Sequence, residues 1–191
     1  MYHFYALLAR MRYIRRWSLM VSQYPENVAE HTLMTAVLAH GLALIRRDVL
    51  GLDDVNPDEC AVAALFHDAS EIMTGDLPTP VKYANPEIRA AYGAVETAST
   101  DTFLSMLPPE LRTAYEPALR QNGGITGKMV HAADKLSAYI KCVEELRGGN
   151  SEFREASVGL KKKLEALRMP ELDYFFLKFL PSFELTLDEL K

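Results

Sequence analysis

The stretch AALFHDASE, residues 63–71, places three ionisable side chains inside an otherwise apolar run. Residues three and four apart share one face of a helix, so Glu71 would lie beside both His67 and Asp68. Carboxylates buried among apolar side chains are costly without a counter-charge. The stretch therefore predicts either a bound divalent cation or a helix end that faces water, and both interpretations are compatible with it.

The apolar segments of the whole chain predict an all-α protein. No segment of the sequence alternates apolar and polar residues in the manner of a strand. Asn27, Asn56 and Asn85 each precede a helical pattern, and Asn is favoured at the N-cap of a helix. The helix after Asn56 is predicted to continue as far as Gly75. With 191 residues, the chain suits a single domain, residues 1–191, with a sizeable core.

Charge and cysteine usage narrow the class of protein. A formal net charge of −5 argues against a binder of nucleic-acid polymers or of membrane surfaces. The longest uncharged run, residues 31–45, is too short to span a bilayer. Cys60 and Cys142 do not form the spaced framework of a disulfide-rich secreted protein. We therefore expect buried, reduced thiols and a cytoplasmic location.

Two more polar residues lie within apolar helical patterns and complete a possible metal-binding set. His31 is in the first turn of the second predicted helix, and Asp134 is in the middle of a long helix. Together with His67 and Asp68 they offer two imidazoles and two carboxylates. Such a set suits Mn, Fe, Co, Ni or Zn.

The remaining polar residues favour hydrolysis by water. His40 is about half a helical turn out of phase with His31, so no ligand role is expected for it. His131 is interpreted as a neighbour of the set or a surface residue. The sequence has no Gly-rich phosphate loop and no arrangement of a nucleophilic Ser or Cys. Direct attack by water is therefore favoured over a covalent intermediate.

The order His, His-Asp, Asp resembles the HD-domain metal-dependent phosphohydrolases. Over nearly the whole chain, longer motifs resemble the YfbR-type 5′-deoxynucleotidases. These motifs are RRW at 15–17, NVAEH at 27–31, HDASE at 67–71, TGDLPTPVKY at 74–83, AD at 133–134, YIKC at 139–142, EEL at 144–146, DYF at 173–175 and PSF at 181–183. One departure is Ala29, where that family has Ser, and this change would affect a hydrogen bond around the site.

The resemblance implies an HD-domain helical bundle with a metal site between its helices. It implies hydrolysis of deoxyribonucleoside 5′-monophosphates with one divalent ion, either Co, Mn or another transition metal, and a cytoplasmic homodimer. The implied metal ligands are His31, His67, Asp68 and Asp134. The implied catalytic residues are Glu71 and Arg16. The implied substrate-binding residues are Arg16, Trp17, His31, Asp68, Asp76, Leu77, Pro78, Thr79 and Asp134.

These roles agree with what the reaction requires. A bound metal polarises a phosphoryl oxygen and lowers the pKa of water. Arg16 can donate two hydrogen bonds to phosphate oxygens, and Glu71 can orient or deprotonate the water. Trp17 is expected against the sugar, and Asp76 can accept a hydrogen bond from a sugar hydroxyl.

Two other functions remain open at this point. One is an HD phosphohydrolase that acts on deoxynucleoside triphosphates, a guanosine alarmone or a cyclic nucleotide. The other is a non-catalytic HD module that binds a nucleotide. No spare histidine adjoins His67 in the sequence, which favours a single metal ion over a binuclear site.

Overall fold

The computed structural model describes residues 1–82, 85–120 and 123–191, and this part of the chain contains ten α-helices. The helices are α1 Phe4–Leu8, α2 Val28–Leu44, α3 Pro57–Leu65, α4 Glu71–Thr74, α5 Thr79–Lys82, α6 Pro86–Ser105, α7 Pro109–Arg120, α8 Gly124–Arg147, α9 Arg154–Ala166 and α10 Pro170–Lys178. Short 3₁₀ segments and one π-helical turn, Ile45–Val49, join some of them. The only β-pairing among the described residues is an isolated antiparallel bridge between Arg15 and Asn27. The predicted all-α class is confirmed.

The helix starts follow from asparagine side chains, as the sequence predicts. Asn27 and Glu30 form a capping box at the start of α2. The side chain of Asn56 accepts from the backbone N–H groups of the first turn of α3. Asn85 does the same at α6, where it accepts from Ile88. Each cap satisfies backbone donors that have no partner inside the helix.

The core lies where α2, α3 and α8 pack against one another, with α9 and α10 closing it. Its central residues are fully buried, among them Leu42, Ala64, Ala133 and Leu136. A smaller cluster joins α1 to α6 and α7. Because α2, α3 and α8 are neighbours, polar residues placed on them can converge on one point.

The helix that begins after Asn56 is shorter than the sequence predicts. It ends at Leu65 rather than at Gly75, and α4 begins separately at Glu71. Between them the backbone makes tighter bonds to the residue three positions earlier, such as Ala69 N–H to the Phe66 carbonyl at 3.1 Å. This tightening changes the direction of successive side chains relative to an α-helix. It places two adjacent residues, His67 and Asp68, on one site.

One helical segment, Val28–Val49, is long and apolar enough by length and composition to cross a membrane. Its mean hydropathy reaches 1.4, and 56% of the apolar window is buried inside the structure. Burial of that kind is what the central helix of a helical bundle shows. The two cysteines are also buried, and burial raises the pKa of both thiols.

Candidate metal and substrate site

Four polar residues converge at the centre of the bundle. One ligand atom each from His31, His67 and Asp134 lies within 4.8 Å of the others. The Nε2 atom of His31 is 3.2 Å from Asp134 Oδ1, and that of His67 is 3.9 Å from the same oxygen. Asp68 Oδ2 lies 3.1 Å from His67 Nε2 and 3.6 Å from His31 Nε2. The structure thus brings together all four residues that the sequence singles out.

The second nitrogen of each imidazole is fixed by a neighbour. His67 Nδ1 lies 2.7 Å from the Ala64 carbonyl oxygen, which can only accept, so Nδ1 carries the proton. His31 Nδ1 lies 3.2 Å from Ser137 Oγ. His67 Nε2 is buried and makes no hydrogen bond to any described residue. A buried imidazole nitrogen beside two carboxylates, with the other ring nitrogen held by a carbonyl oxygen, can bind a metal ion once its proton leaves.

The electrostatics of the cluster favour positive charge. Burial lowers the pKa of His67, but the charges of Asp68 and Asp134 outweigh it and raise the value to about 9. Burial works against the charge on Asp134, yet its hydrogen bond to His31 and the two imidazoles hold its pKa below the usual range. The side chain of Asp134 remains 34% exposed, so the cluster opens to solvent on that side. The same two carboxylates would attract a divalent cation.

Arg16 lies beside this cluster on the segment that leads into α2, and Trp17 follows it in the chain. Arg16 Nη1 is 3.5 Å from Asp68 Oδ2, and its Nε donates to Glu26 Oε2 at 3.0 Å. The indole Nε1 of Trp17 donates to the same Glu26 oxygen at 3.2 Å. Burial opposes the charge on Arg16, but nearby carboxylates raise the pKa above its usual value. The guanidinium of Arg16 therefore stays charged next to the site.

Glu71 is the first residue of α4 and is 8% exposed. Its Oε2 atom is buried and has no hydrogen-bond partner among the described residues. Burial, together with repulsion from Asp68 and Asp76, raises the pKa of Glu71 to about 9. A carboxyl group with this pKa is protonated at neutral pH, and the charge of a divalent cation bound beside it would lower the pKa toward the range that a general base needs.

The segment from Gly75 to α5 follows directly after α4, the helix that Glu71 begins. Burial and the charge of Asp68 raise the pKa of Asp76, although Arg16 opposes them. Leu77 and Pro78 are half-buried, whereas the side chain of Thr79 lies outside the described part of the structure. The roles of these residues toward a nucleoside stay predictions.

Two histidines and one glutamate complete the comparison with the sequence. His40 Nε2 lies 3.6 Å from an exposed carboxylate, Asp58, and His131 is exposed on α8. Neither belongs to the cluster, as expected. Glu26, which contacts both Arg16 and Trp17, was not predicted, because no periodicity or ligand spacing marks it.

Comparison with known proteins identifies the family. The model of the YfbR-like 5′-deoxynucleotidases matches residues 3–183. A 5′-deoxynucleotidase of Vibrio parahaemolyticus is 48% identical over 190 residues, which cover 98% of this chain and 97% of the relative. The 5′-deoxynucleotidase YfbR of Salmonella typhi is 46% identical over 190 residues, 98% of this chain and 95% of its own.

The chain belongs to the YfbR-like 5′-deoxynucleotidase family. The predicted family and enzyme class, a hydrolase of phosphomonoesters, are thereby confirmed.

Solved structures agree with the HD-domain fold expected of a YfbR-like protein. An HD-domain phosphohydrolase of Listeria innocua superposes with a TM-score of 0.80 at 26% identity, covering 95% of this chain and 88% of its own. The HD phosphohydrolase DatZ of cyanophage S-2L, bound to dA and one catalytic Zn²⁺ ion, has a TM-score of 0.64 at 20% identity, covering 93% of this chain and 96% of its own. The predicted HD-domain helical bundle is confirmed.

Proposed function

We propose that this YfbR-like protein hydrolyses deoxyribonucleoside 5′-monophosphates to a deoxyribonucleoside and phosphate, with one divalent metal ion bound by His31, His67, Asp68 and Asp134. The observation that carries the proposal is the position of Arg16, whose Nη1 lies 3.5 Å from Asp68 Oδ2. A guanidinium beside a metal-binding carboxylate offers two adjacent positive centres. A phosphate dianion is the substrate group that both would bind.

The residues fit a transition-metal ion by their donor types. Two imidazole nitrogens and two carboxylate oxygens suit Mn, Co or Zn, and His67 Nε2 is buried without another hydrogen-bond partner in the described part of the chain. The cyanophage S-2L neighbour holds one catalytic Zn²⁺ ion. When bound, such an ion neutralises charge on the phosphate and lowers the pKa of water. We infer a single transition-metal ion, with cobalt and manganese as the leading candidates.

The chain's own residues supply binding and proton transfer. Arg16 uses Nε for Glu26 and holds Nη1 3.5 Å from Asp68 Oδ2, so its terminal nitrogens lie next to the site, where they can bind phosphate oxygens. Glu71 accepts the proton of the attacking water, whose oxygen forms the new bond to phosphorus as the bond to O5′ breaks. The leaving deoxyribonucleoside takes up a proton at O5′.

The proposal also assigns contacts to the nucleoside. The only donor of the Trp17 side chain is already bound to Glu26, so the indole offers an apolar surface toward the sugar. Rejection of a 2′-hydroxyl requires such an obstacle. Asp76 accepts a hydrogen bond from the 3′-hydroxyl, and Leu77, Pro78 and Thr79 line the nucleoside.

The test is an assay of metal-stripped protein reloaded separately with Mn, Co, Zn or Mg. Phosphate release is measured from deoxy- and ribonucleoside 5′-monophosphates side by side, with deoxynucleoside triphosphates, a guanosine alarmone and cyclic nucleotides as competing substrates. The proposal expects turnover of deoxymononucleotides above all others. Preferential turnover of a triphosphate, an alarmone or a cyclic nucleotide, or nucleotide binding without any turnover, would contradict it.

We further propose that the chain forms one domain and acts in the cytoplasm as a homodimer. Leu33 and Val37 are exposed one turn apart on α2, and Val62 and Leu65 are exposed on the adjoining α3. Exposed apolar pairs on packed helices favour burial against a second copy. Sedimentation of the double variant Leu33→Glu, Val37→Glu tests this, and an unchanged dimer would exclude these residues from the interface.

A further inference from the structure

We infer that Glu26 is a positioning residue. One of its carboxylate oxygens holds both the guanidinium of Arg16, which binds the phosphate, and the indole of Trp17, which faces the sugar. This inference rests on the proposed function. Glu26 Oε2 accepts from Arg16 Nε at 3.0 Å and from Trp17 Nε1 at 3.2 Å. Two side chains with different tasks in the proposed reaction therefore share a single anchor.

The shared bond constrains the orientation of both groups. With Nε held by Glu26, the plane of the Arg16 guanidinium is fixed and Nη1 faces Asp68. The side chains of Arg16 and Glu26 are 11% and 15% exposed. A charge-assisted hydrogen bond with so little solvent contact is stronger than its exposed equivalent.

The backbone holds Glu26 opposite Arg16. The Arg16 N–H donates to the Glu26 carbonyl oxygen at 3.0 Å, and the Val28 N–H donates to that of Ile14 at 2.9 Å. Trp17 has a φ of +56°, which is unfavourable for a bulky residue. Tertiary contacts must hold Trp17 there, and the structure gives two for its indole, namely Glu26 and the Phe153 ring at 5.3 Å between centroids.

The loop that precedes Glu26 is anchored independently, on the helix that carries Asp134. The carboxylate of Glu145, on α8, accepts from the hydroxyl of Ser22 at 2.5 Å and from the backbone N–H groups of Gln23 and Tyr24 at 3.0 Å. These bonds do not involve Glu26. Removal of the Glu26 side chain would therefore release Arg16 and Trp17 while the loop backbone stays attached to α8.

The metal-loaded protein tests the inference with three variants. Glu26→Ala removes the anchor, and Glu26→Gln keeps an oxygen that accepts hydrogen bonds. Glu152→Ala is the matched control, because the exposed Glu152 carboxylate accepts from the Val21 N–H in the same loop without touching Arg16 or Trp17. In each variant, kcat and KM are measured for dAMP and AMP.

For Glu26→Ala we expect kcat/KM for dAMP to fall about 10- to 100-fold, chiefly through KM, since a hydrogen bond to a charged group is lost. The ratio of kcat/KM for dAMP over that for AMP should also fall. Glu26→Gln should recover most of this ratio, because its amide oxygen can still accept from the indole. For Glu152→Ala, kcat/KM for dAMP should remain within about 2-fold of the wild-type value, as is usual for an exposed residue away from the site.

Trp17 is the only tryptophan of the chain, so its fluorescence reports directly on the indole. Acrylamide should quench it more efficiently in Glu26→Ala than in the wild type, with Glu26→Gln in between. A folded, metal-loaded Glu26→Ala with unchanged KM, sugar ratio and quenching overturns the inference. So does a variant that loses its fold or its metal, since Glu26 would then be structural. If the wild type is inactive on every deoxymononucleotide, the proposed function is overturned instead. In that case the quenching experiment still tests the placement of the indole, which unchanged quenching in Glu26→Ala would overturn.

Discussion

Ser137 Oγ lies 3.2 Å from Nδ1 of His31, on the side of the imidazole opposite the nitrogen that faces Asp134. Ser137 is 3% exposed and lies one turn after Asp134 on α8. The helix α8 thus supplies one candidate metal ligand, Asp134, and also Ser137, which orients a second candidate ligand, His31. Groups that orient metal-binding imidazoles fix the ring and its tautomer.

Ser137→Ala should weaken metal binding about 10- to 100-fold, because His31 loses its orienting partner. The measurement is competitive metal titration with a chelator of known affinity. Ser99→Ala is the control, since Ser99 is also buried but its hydroxyl donates to the Val95 carbonyl within α6. Equal metal affinity in Ser137→Ala and the control would contradict an orienting role.

Asp134→Ala should lose metal and activity together. The substitution removes a charge that offsets a cation inside an apolar helix cluster, and it leaves His31 without its 3.2 Å partner. Elemental analysis of the purified variant checks this, with Asp58→Ala on the exposed face of α3 as the control. Full metal content with full turnover would remove Asp134 from the site.

Glu71→Gln should keep the metal and still bind a deoxymononucleotide while turnover falls about 10²- to 10⁴-fold, the usual cost of losing a general base. The amide has nearly the shape of the carboxyl group but cannot accept a proton from water. Single-turnover kinetics with dAMP separates binding from chemistry. Turnover within a few-fold of the wild type would mean that Glu71 does not take the proton.

Trp17→Ala should admit ribonucleotides, whereas Arg16→Ala should weaken deoxy- and ribonucleotides alike. The indole acts as an obstacle to a 2′-hydroxyl, and the guanidinium contacts only the phosphate that both substrates share. The observable is kcat/KM for dAMP over that for AMP in each variant. An unchanged ratio in an active Trp17→Ala would shift sugar selection to the segment that contains Asp76.

Acid should destabilise the protein partly through Glu145. Burial raises the pKa of this carboxyl group, but its hydrogen bonds from Lys141, Ser22 and Asn150 outweigh burial and hold the pKa well below its usual range. A depressed pKa in the folded state adds stability above the unfolded pKa of about 4.3, and this stability is lost as the pH falls toward the folded value.

The comparison that isolates this effect is wild type against Glu145→Gln. At pH 7 the variant should be about 3–5 kcal/mol less stable, because the buried Lys141 ammonium loses the carboxylate that neutralises its charge. The difference in free energy of unfolding, from urea titrations, should shrink from about pH 4 downward. A constant difference, equal to that of the exposed control Glu155→Gln, would contradict this prediction.

The local features of the fold could be predicted from neighbouring residues. Asn27, Asn56 and Asn85 mark helix starts because the cap and the backbone donors it satisfies lie within three residues of each other. The end of α3 could not be predicted in this way. The pattern from residue 57 to residue 74 suits one helix, but the packed structure favours a tighter backbone that turns His67 and Asp68 to the same site.

The sequence by itself determined the all-α class, the helix starts and the four candidate metal ligands, because buried His and Asp in apolar helices need a partner wherever they fall. Only the tertiary structure decided which groups orient those ligands and the substrate-facing side chains. Ser137 contacts His31 on another helix, and Glu26 contacts Trp17 across a loop. Glu145 accepts from Ser22, which lies 123 positions away. No local pattern marks them, because a hydrogen bond between distant segments depends on how the helices pack.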